Sequence, residues 1–241
     1  MAAPAPLPNN RDTYWLRCLL FLPWEYLAVL KVNNLCVSYT DQQIVSGLSF
    51  EVPTATTLTI TGPSGAGKST VLKAICGLVR TSSGSVFIDN RDITQLPTHR
   101  RGIGLVTQTN DLFPHLTVAQ NIAFGLRMNG ASNREMSDRV REMLNVVGLA
   151  NFADRDINSL SGGEARRIAL ARSLAPSPKI LLLDEPFTGL DDEIRISLMY
   201  QTKAILASSS MTSILVTHDH SEAEFFSTSA LSLPPPVEPS L

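Results

Sequence analysis

The sequence predicts an α/β fold with a mostly parallel core sheet, joined to early strands that pair partly antiparallel. Two runs carry the parallel sheet: residues 180–183 are short and wholly apolar, and residues 213–216 are apolar apart from Ser213, the pattern of strands buried on both faces. Such a sheet needs helices on its two sides. Met136, Val140, Met143, Leu144 and Val147 recur at helical spacing across residues 133–149, which makes one strongly apolar helical face.

The other elements follow in chain order. Residues 30–37, 48–52 and 57–61 read as strands, the last leading into a glycine-rich turn. Residues 69–78 turn helical in pattern, and residues 85–88 followed by Asp89 and Asn90 read as a strand and its turn. Ser132 and Glu135 form a capping box for the helix beginning at Asn133, with Gly148 near its stop. An Ala/Pro/Asn tract opens the chain, so residues 1–29 are expected to be a disordered or non-native leader and residues 1–28 dispensable for folding. The folded domain is expected over residues 30–233. Residues 234–241, which begin with three prolines, are expected to be an unstructured tail.

The composition excludes several classes of function. At 241 residues the chain suits one large α/β domain better than two of average size. Twenty Lys and Arg against twenty-two Asp and Glu give a net charge of −2 with no long basic run, so no nucleic acid partner is expected. Cys18, Cys36 and Cys76 are odd in number and lack metal-ligand spacing, which fits a reducing compartment. The apolar run from Cys18 is broken by Pro23 and Glu25; it is too short to span a membrane and a poor match to a signal peptide.

Gly62-Pro63-Ser64-Gly65-Ala66-Gly67-Lys68-Ser69-Thr70 matches the phosphate-binding loop G-x-x-x-x-G-K-[ST]. Its glycines let backbone N–H groups approach phosphate oxygens, and the helix that follows presents its positive end. Lys68 is then placed for the β- and γ-phosphates and Ser69 for Mg²⁺. Further on, the apolar run 181–183 ends in adjacent carboxylates, Asp184 and Glu185. Asp184 suits the Mg²⁺ shell, and Glu185 is placed to polarise a water attacking the γ-phosphate. A P-loop ATPase using ATP and Mg²⁺ is the implied chemistry.

Leu160-Ser161-Gly162-Gly163-Glu164, running into 165–172, resembles the signature motif of ABC ATPases, and it lies between the phosphate loop and the Asp-Glu strand as in that family. Tyr39, Gln108, Gly189-Leu190-Asp191 and His218 appear in the family's order, so the resemblance covers residues 30–233. It implies an ABC-type cassette: a P-loop NTPase core, an antiparallel β subdomain and a helical subdomain at about 110–175. It also implies roles. Tyr39 would stack on adenine, Gln108 would contact Mg²⁺ and the γ-phosphate, and His218 would hold Glu185 and the water in register. Ser161, Gly162 and Gly163 would meet the γ-phosphate bound by the opposite subunit, with Asp191 at the subunit contact. ATP binding would then close a dimer, a homodimer in the simplest case, and hydrolysis would release it.

The implied partners are a second ATPase subunit, integral membrane permease subunits and, indirectly, a substrate-binding protein, with the chain peripheral on the cytoplasmic face of the cell membrane. Residues 111–126 look like the corresponding loop in bacterial importers of thiamine, ferric iron, sulfate or polyamines. Within it, Leu112, Phe113 and Leu116 either present an apolar patch to a membrane partner or belong to the subdomain core. A soluble ABC ATPase of DNA repair or translation is the alternative; the coiled-coil insertions, zinc modules or paired cassettes usual there are not seen. Three departures stand out. Glu164 replaces the usual Gln, Arg166 replaces a common Gln, and residues 221–229 lack the usual Ala-Asp-Arg segment. Arg166 is expected to add charge near the helix facing the opposite phosphate, and the final strands are expected to be short.

Overall fold

The computed structural model describes residues 28–39 and 42–235. The proposed leader up to residue 27 and the tail from residue 236 lie outside the described residues. Strands β1 (Ala28–Tyr39) and β2 (Gln42–Pro53) form a long antiparallel pair, with Tyr39 opposite Gln42 and Ala28 opposite Pro53. β1 thus starts two residues earlier than the apolar pattern suggested, because the ladder runs the full length of β2. β4 (Ser83–Ile88) pairs antiparallel with β1, and β5 (Arg91–Asp92) with β4. Gly84 sits at φ +88, where an added Cβ would lie 2.4 Å from the Asn34 carbonyl oxygen. Only glycine lets the two strands approach there.

The second sheet is parallel throughout. β3 (Thr57–Thr61), β6 (Ile103–Val106), β7 (Ile180–Asp184), β8 (Thr212–Val216) and β9 (Ser229–Ser232) lie in the order β6-β7-β8-β3-β9. Every residue of β7 and β8 is buried; the apolar residues suit that position, and the polar Thr212, Ser213 and Asp184 are accommodated by hydrogen bonds with Ala55, Thr57 and Ser69. β9 is short and occupies the edge.

Successive side chains of a strand point to opposite faces, and β7 divides two cores in this way. Ile180 and Leu182 join the core formed with the antiparallel sheet and helix α1 (Lys68–Cys76). Leu181 and Leu183 join the other, formed with α2 (Val118–Met128), α3 (Asn133–Val146), α4 (Gly162–Leu174), α5 (Asp192–Ser208) and α6 (His220–Phe226). Capping boxes start three of these helices, from Thr117 with Gln120, Ser132 with Glu135, and Ser161 with Glu164. Among the described residues no helix is long and apolar enough to cross a membrane.

Because β3, β7 and β8 are adjacent and parallel, the segments leaving them emerge at one edge of the sheet. Ligands of open α/β sheets bind at that carboxyl edge. The segments are the glycine-rich loop after β3, Glu185 after β7, and Thr217 with His218 after β8.

Candidate functional site

The loop from Gly62 to Gly67 wraps between β3 and α1 with Gly62, Gly65 and Gly67 all at positive φ. Gly67 caps α1 at φ 86, and a Cβ there would lie 3.1 Å from the Ile44 carbonyl oxygen, so β2 packs directly against the turn. Lys68 is buried and curls back, its Nζ donating to the carbonyl oxygens of Gly62 at 2.8 Å and Pro63 at 2.9 Å. First-turn amides of α1 have no partner within the helix. Together with the ammonium they concentrate positive potential at the loop.

Beside the loop, Ser69 Oγ donates to Asp184 Oδ1 at 2.8 Å. Burial, and then the neighbouring charge of Glu185, push the Asp184 carboxyl above its ordinary pKa, against the hydrogen bond from Ser69. A bound cation would reverse that cost. Two hard oxygen donors in contact fit Mg²⁺, which keeps several waters and takes its other ligands from substrate phosphates.

Glu185 leaves β7 at φ 45, an unusual conformation for a carboxylate residue, and its N–H donates to the Val216 carbonyl at 2.9 Å. That bond ties it to β8. Its Oε2 lies 3.4 Å from His218 Nδ1 and accepts from Thr188 Oγ1 at 3.3 Å. Phosphate loop, Asp184, Glu185 and His218 therefore come together.

The remaining predicted residues lie on other elements. Tyr39 is exposed at the end of β1, on the hairpin whose Ile44 touches Gly67. Ser161 caps α4, with Glu164 Oε2 accepting from its N–H at 2.7 Å; glutamate serves this box as well as glutamine. Asp191 is the N-cap residue of α5, yet its side chain makes no capping bond. Ile194 of that helix packs against Gly163, where a Cβ would come within 2.7 Å of its Cγ2. Among the described residues no hydrogen bond joins Ser161, Gly162, Gly163 or Asp191 to the phosphate loop.

Gln108 is exposed, but its backbone is gripped by α4. Arg166 is 5% exposed and donates to the carbonyl oxygens of Thr107 at 2.6 Å and Gln108 at 2.8 Å. The charge expected near the helix that faces the opposite phosphate is thus within that helix but points inward, one turn past the cap. Sequence reasoning also missed Asn121, which is fully buried. Its amide donates to the carbonyls of Phe113, Leu116 and Thr117 and accepts from the Phe113 N–H. An asparagine amid an apolar helical pattern was the available signal. Of the apolar loop residues, Leu112 packs on the helical-side core and Phe113 lies against Phe124, ring centroids 4.5 Å apart. Arg195 of α5 was likewise unseen; it pairs with Asp219 at 3.0 Å and the buried Glu222 at 3.6 Å, on either side of the turn after His218.

Residues 45–188 match the ABC transporter family. A Fe(3+) ions import ATP-binding protein, FbpC, of Streptomyces avermitilis is 42% identical over 81% of this chain and 56% of its own length. A spermidine/putrescine import ATP-binding protein, PotA, of Photobacterium profundum is 43% identical over 81% of this chain and 52% of its own length. The chain spans about half the length of these curated relatives. Among solved structures, the ATP-binding cassette MJ0796, in a dimeric post-hydrolysis state bound to ADP and Pi, is similar with a TM-score of 0.76 and 32% identity, covering 85% of this chain and 94% of that one.

Proposed function

The chain belongs to the ABC transporter family, and from that premise we propose that it binds and hydrolyses ATP as the motor subunit of a bacterial importer. One observation carries the proposal: the Ser69–Asp184 hydrogen bond joins the phosphate loop to β7 where Glu185 faces His218 across to β8. These are the parts that a phosphoryl-transfer site needs, since such catalysis is mostly positioning and electrostatics.

In this reading Lys68 leaves the loop carbonyls for the β- and γ-phosphates, and Ser69, Asp184 and Gln108 hold Mg²⁺. When bound, the ion neutralises charge building on the phosphate oxygens. Glu185 orients the attacking water and accepts its proton, with His218 keeping that carboxylate in register. Tyr39 offers its ring to the adenine. Ser161, Gly162, Gly163 and Asp191 are assigned to the γ-phosphate side and contact surface of a second copy, since Ser161 starts a helix whose positive end suits an anion. The dimeric cassette to which the chain is similar supports that assignment. The folded residues, from Ala28 at the start of β1 to residue 233, form the cassette, with residues 110–175 as its helical subdomain. Permease subunits and, through them, a substrate-binding protein complete the assembly on the cytoplasmic face of the membrane. Relatives named for iron and for polyamines match almost equally well, so the cargo is read elsewhere in the assembly.

Two substitutions test the site. Lys68→Ala is expected to weaken nucleotide binding itself, whereas Glu185→Gln keeps binding and accumulates as an ATP-locked dimer on size exclusion with Mg-ATP. A Glu185→Gln protein that binds Mg-ATP and stays monomeric would refute the composite-site mechanism.

A further inference from the structure

We infer that Arg166 is a positioning residue for Gln108, locking the loop that carries it to the helix that begins at Ser161. The inference rests on the proposal that Gln108 meets Mg²⁺ and the γ-phosphate, and adds how that residue is aimed.

The loop from Thr107 to Asp111 is held by two guanidinium groups of α4. Arg166 takes the carbonyls of Thr107 and Gln108; Arg172 takes those of Asn110, at 3.0 Å, and Asp111, at 2.6 Å. At the second grip the backbone turns left-handed, with Asn110 at φ 65 and Asp111 at φ 45. The Asp111 carboxylate closes the turn by accepting from the hydroxyls of Thr107 and Thr109. Gln108 therefore has a fixed stem and a free tip: its carbonyl is bound, while the residue is exposed.

Arg166 is costly for a mere strut. Its guanidinium is buried, no salt bridge joins it to a carboxylate among the described residues, and its Nε has no hydrogen-bond partner. An uncompensated buried cation destabilises relative to a neutral residue of similar volume. What the charge obtains is a planar fork on two successive carbonyls, which sets the direction in which the Gln108 side chain leaves the backbone. Lysine is a point donor and glutamine a shorter neutral one; neither reproduces the fork. The same rigid link means that a shift of the start of α4, where Ser161 is proposed to meet the other chain's phosphate, moves Gln108 with it.

The test uses the full 241-residue chain carrying Arg166→Gln or Arg166→Lys, each alone and with Gln108→Ala. In Mg-ATP turnover, Arg166→Gln is expected to lower kcat about tenfold, the scale of one charge-assisted hydrogen bond, with KM nearly unchanged and the melting temperature equal or higher. In the Gln108→Ala background the same change should cost less than about twofold, because the group it aims is gone. Arg166→Lys, which keeps the charge without the fork, should lose most of the same activity. Amide exchange without nucleotide should speed up at residues 107–111 in Arg166→Gln and not in α1. Losses that multiply in both backgrounds, or a melting temperature that falls in step with activity, would make Arg166 a packing residue and overturn the inference. So would unchanged exchange in the loop. If the wild-type chain turns over no ATP, the proposed function fails on its own, and the exchange measurement still decides whether Arg166 holds the loop.

Discussion

Glu185 combines a proposed catalytic position with a conformation that works against stability. An L-residue in the left-handed region costs about 1–2 kcal/mol, and here the cost is sustained by the Glu185 N–H bond to Val216, which holds the chain end against β8. Replacing Glu185 by glycine should therefore raise stability by up to about 1 kcal/mol while abolishing ATP turnover; urea denaturation and an ATPase assay together check this. Gly84 is the opposite case. Alanine there meets backbone, which cannot step aside, so Gly84→Ala should cost at least about 2 kcal/mol of stability. A melting temperature within a degree of wild type would contradict the close strand approach.

At the level of elements, the connections that hold the site are loops pinned by buried polar groups. The turn after β8 is one. Thr217 Oγ1 donates to Glu222 Oε2 at 2.6 Å, Arg195 faces both Glu222 and Asp219, and Asp219 caps α6. Burial raises the Glu222 pKa, partly offset by Thr217 and Arg195 and reinforced by Asp219. A raised folded-state value favours the protonated form, so this contribution is full below the unfolded carboxylate value of about 4.3 and is lost as pH rises through the folded value. Glu222→Gln should remove that loss. Its stability relative to wild type should improve from pH 4 toward neutrality, as urea midpoints at several pH values will tell. The loop after Gln108 is another such connection. Phe113 packs on Phe124 with the Arg172 guanidinium 5.3 Å from its ring centroid. Phe113→Ser is thus expected to lose about 2 kcal/mol of stability along with any effect on transport. A free subunit of unchanged stability that no longer supports transport would point instead to a docking role.

For the whole molecule, the parallel sheet sets which of the proposed groups one chain brings together and which it leaves apart. Phosphate loop, Asp184, Glu185 and His218 share the carboxyl edge of three adjacent strands. Ser161 starts a helix in the other layer and has its hydroxyl engaged by the Glu164 amide. Introducing Ser161→Arg into the Glu185→Gln chain should therefore leave Mg-ATP binding to the monomer intact and prevent the trapped dimer, at a cost of about 1 kcal/mol for the lost cap. Light scattering with and without Mg-ATP reads both species. Nucleotide binding lost in the monomer would place Ser161 at its own chain's phosphates.

The sequence by itself determined the motifs of the proposed site and the kind of sheet, because both are encoded locally. A phosphate loop needs its glycines and lysine at fixed spacing, a strand buried on both faces needs an unbroken apolar run, and the Ser132 cap needs Glu135 three residues on. What only the tertiary structure decided was which distant groups meet. Ser69 reaches Asp184 across 115 residues, and Arg166 reaches Thr107 across 59. Leucines 181 and 182 look alike in sequence and belong to different cores. Arg166 shows why the rest was illegible: beside the Ser161-Gly162-Gly163 motif a cation reads as a charge near the opposite phosphate. Its direction depends on the face of α4 that packs against the Gln108 loop, and that packing is set by contacts between segments the chain brings together only on folding.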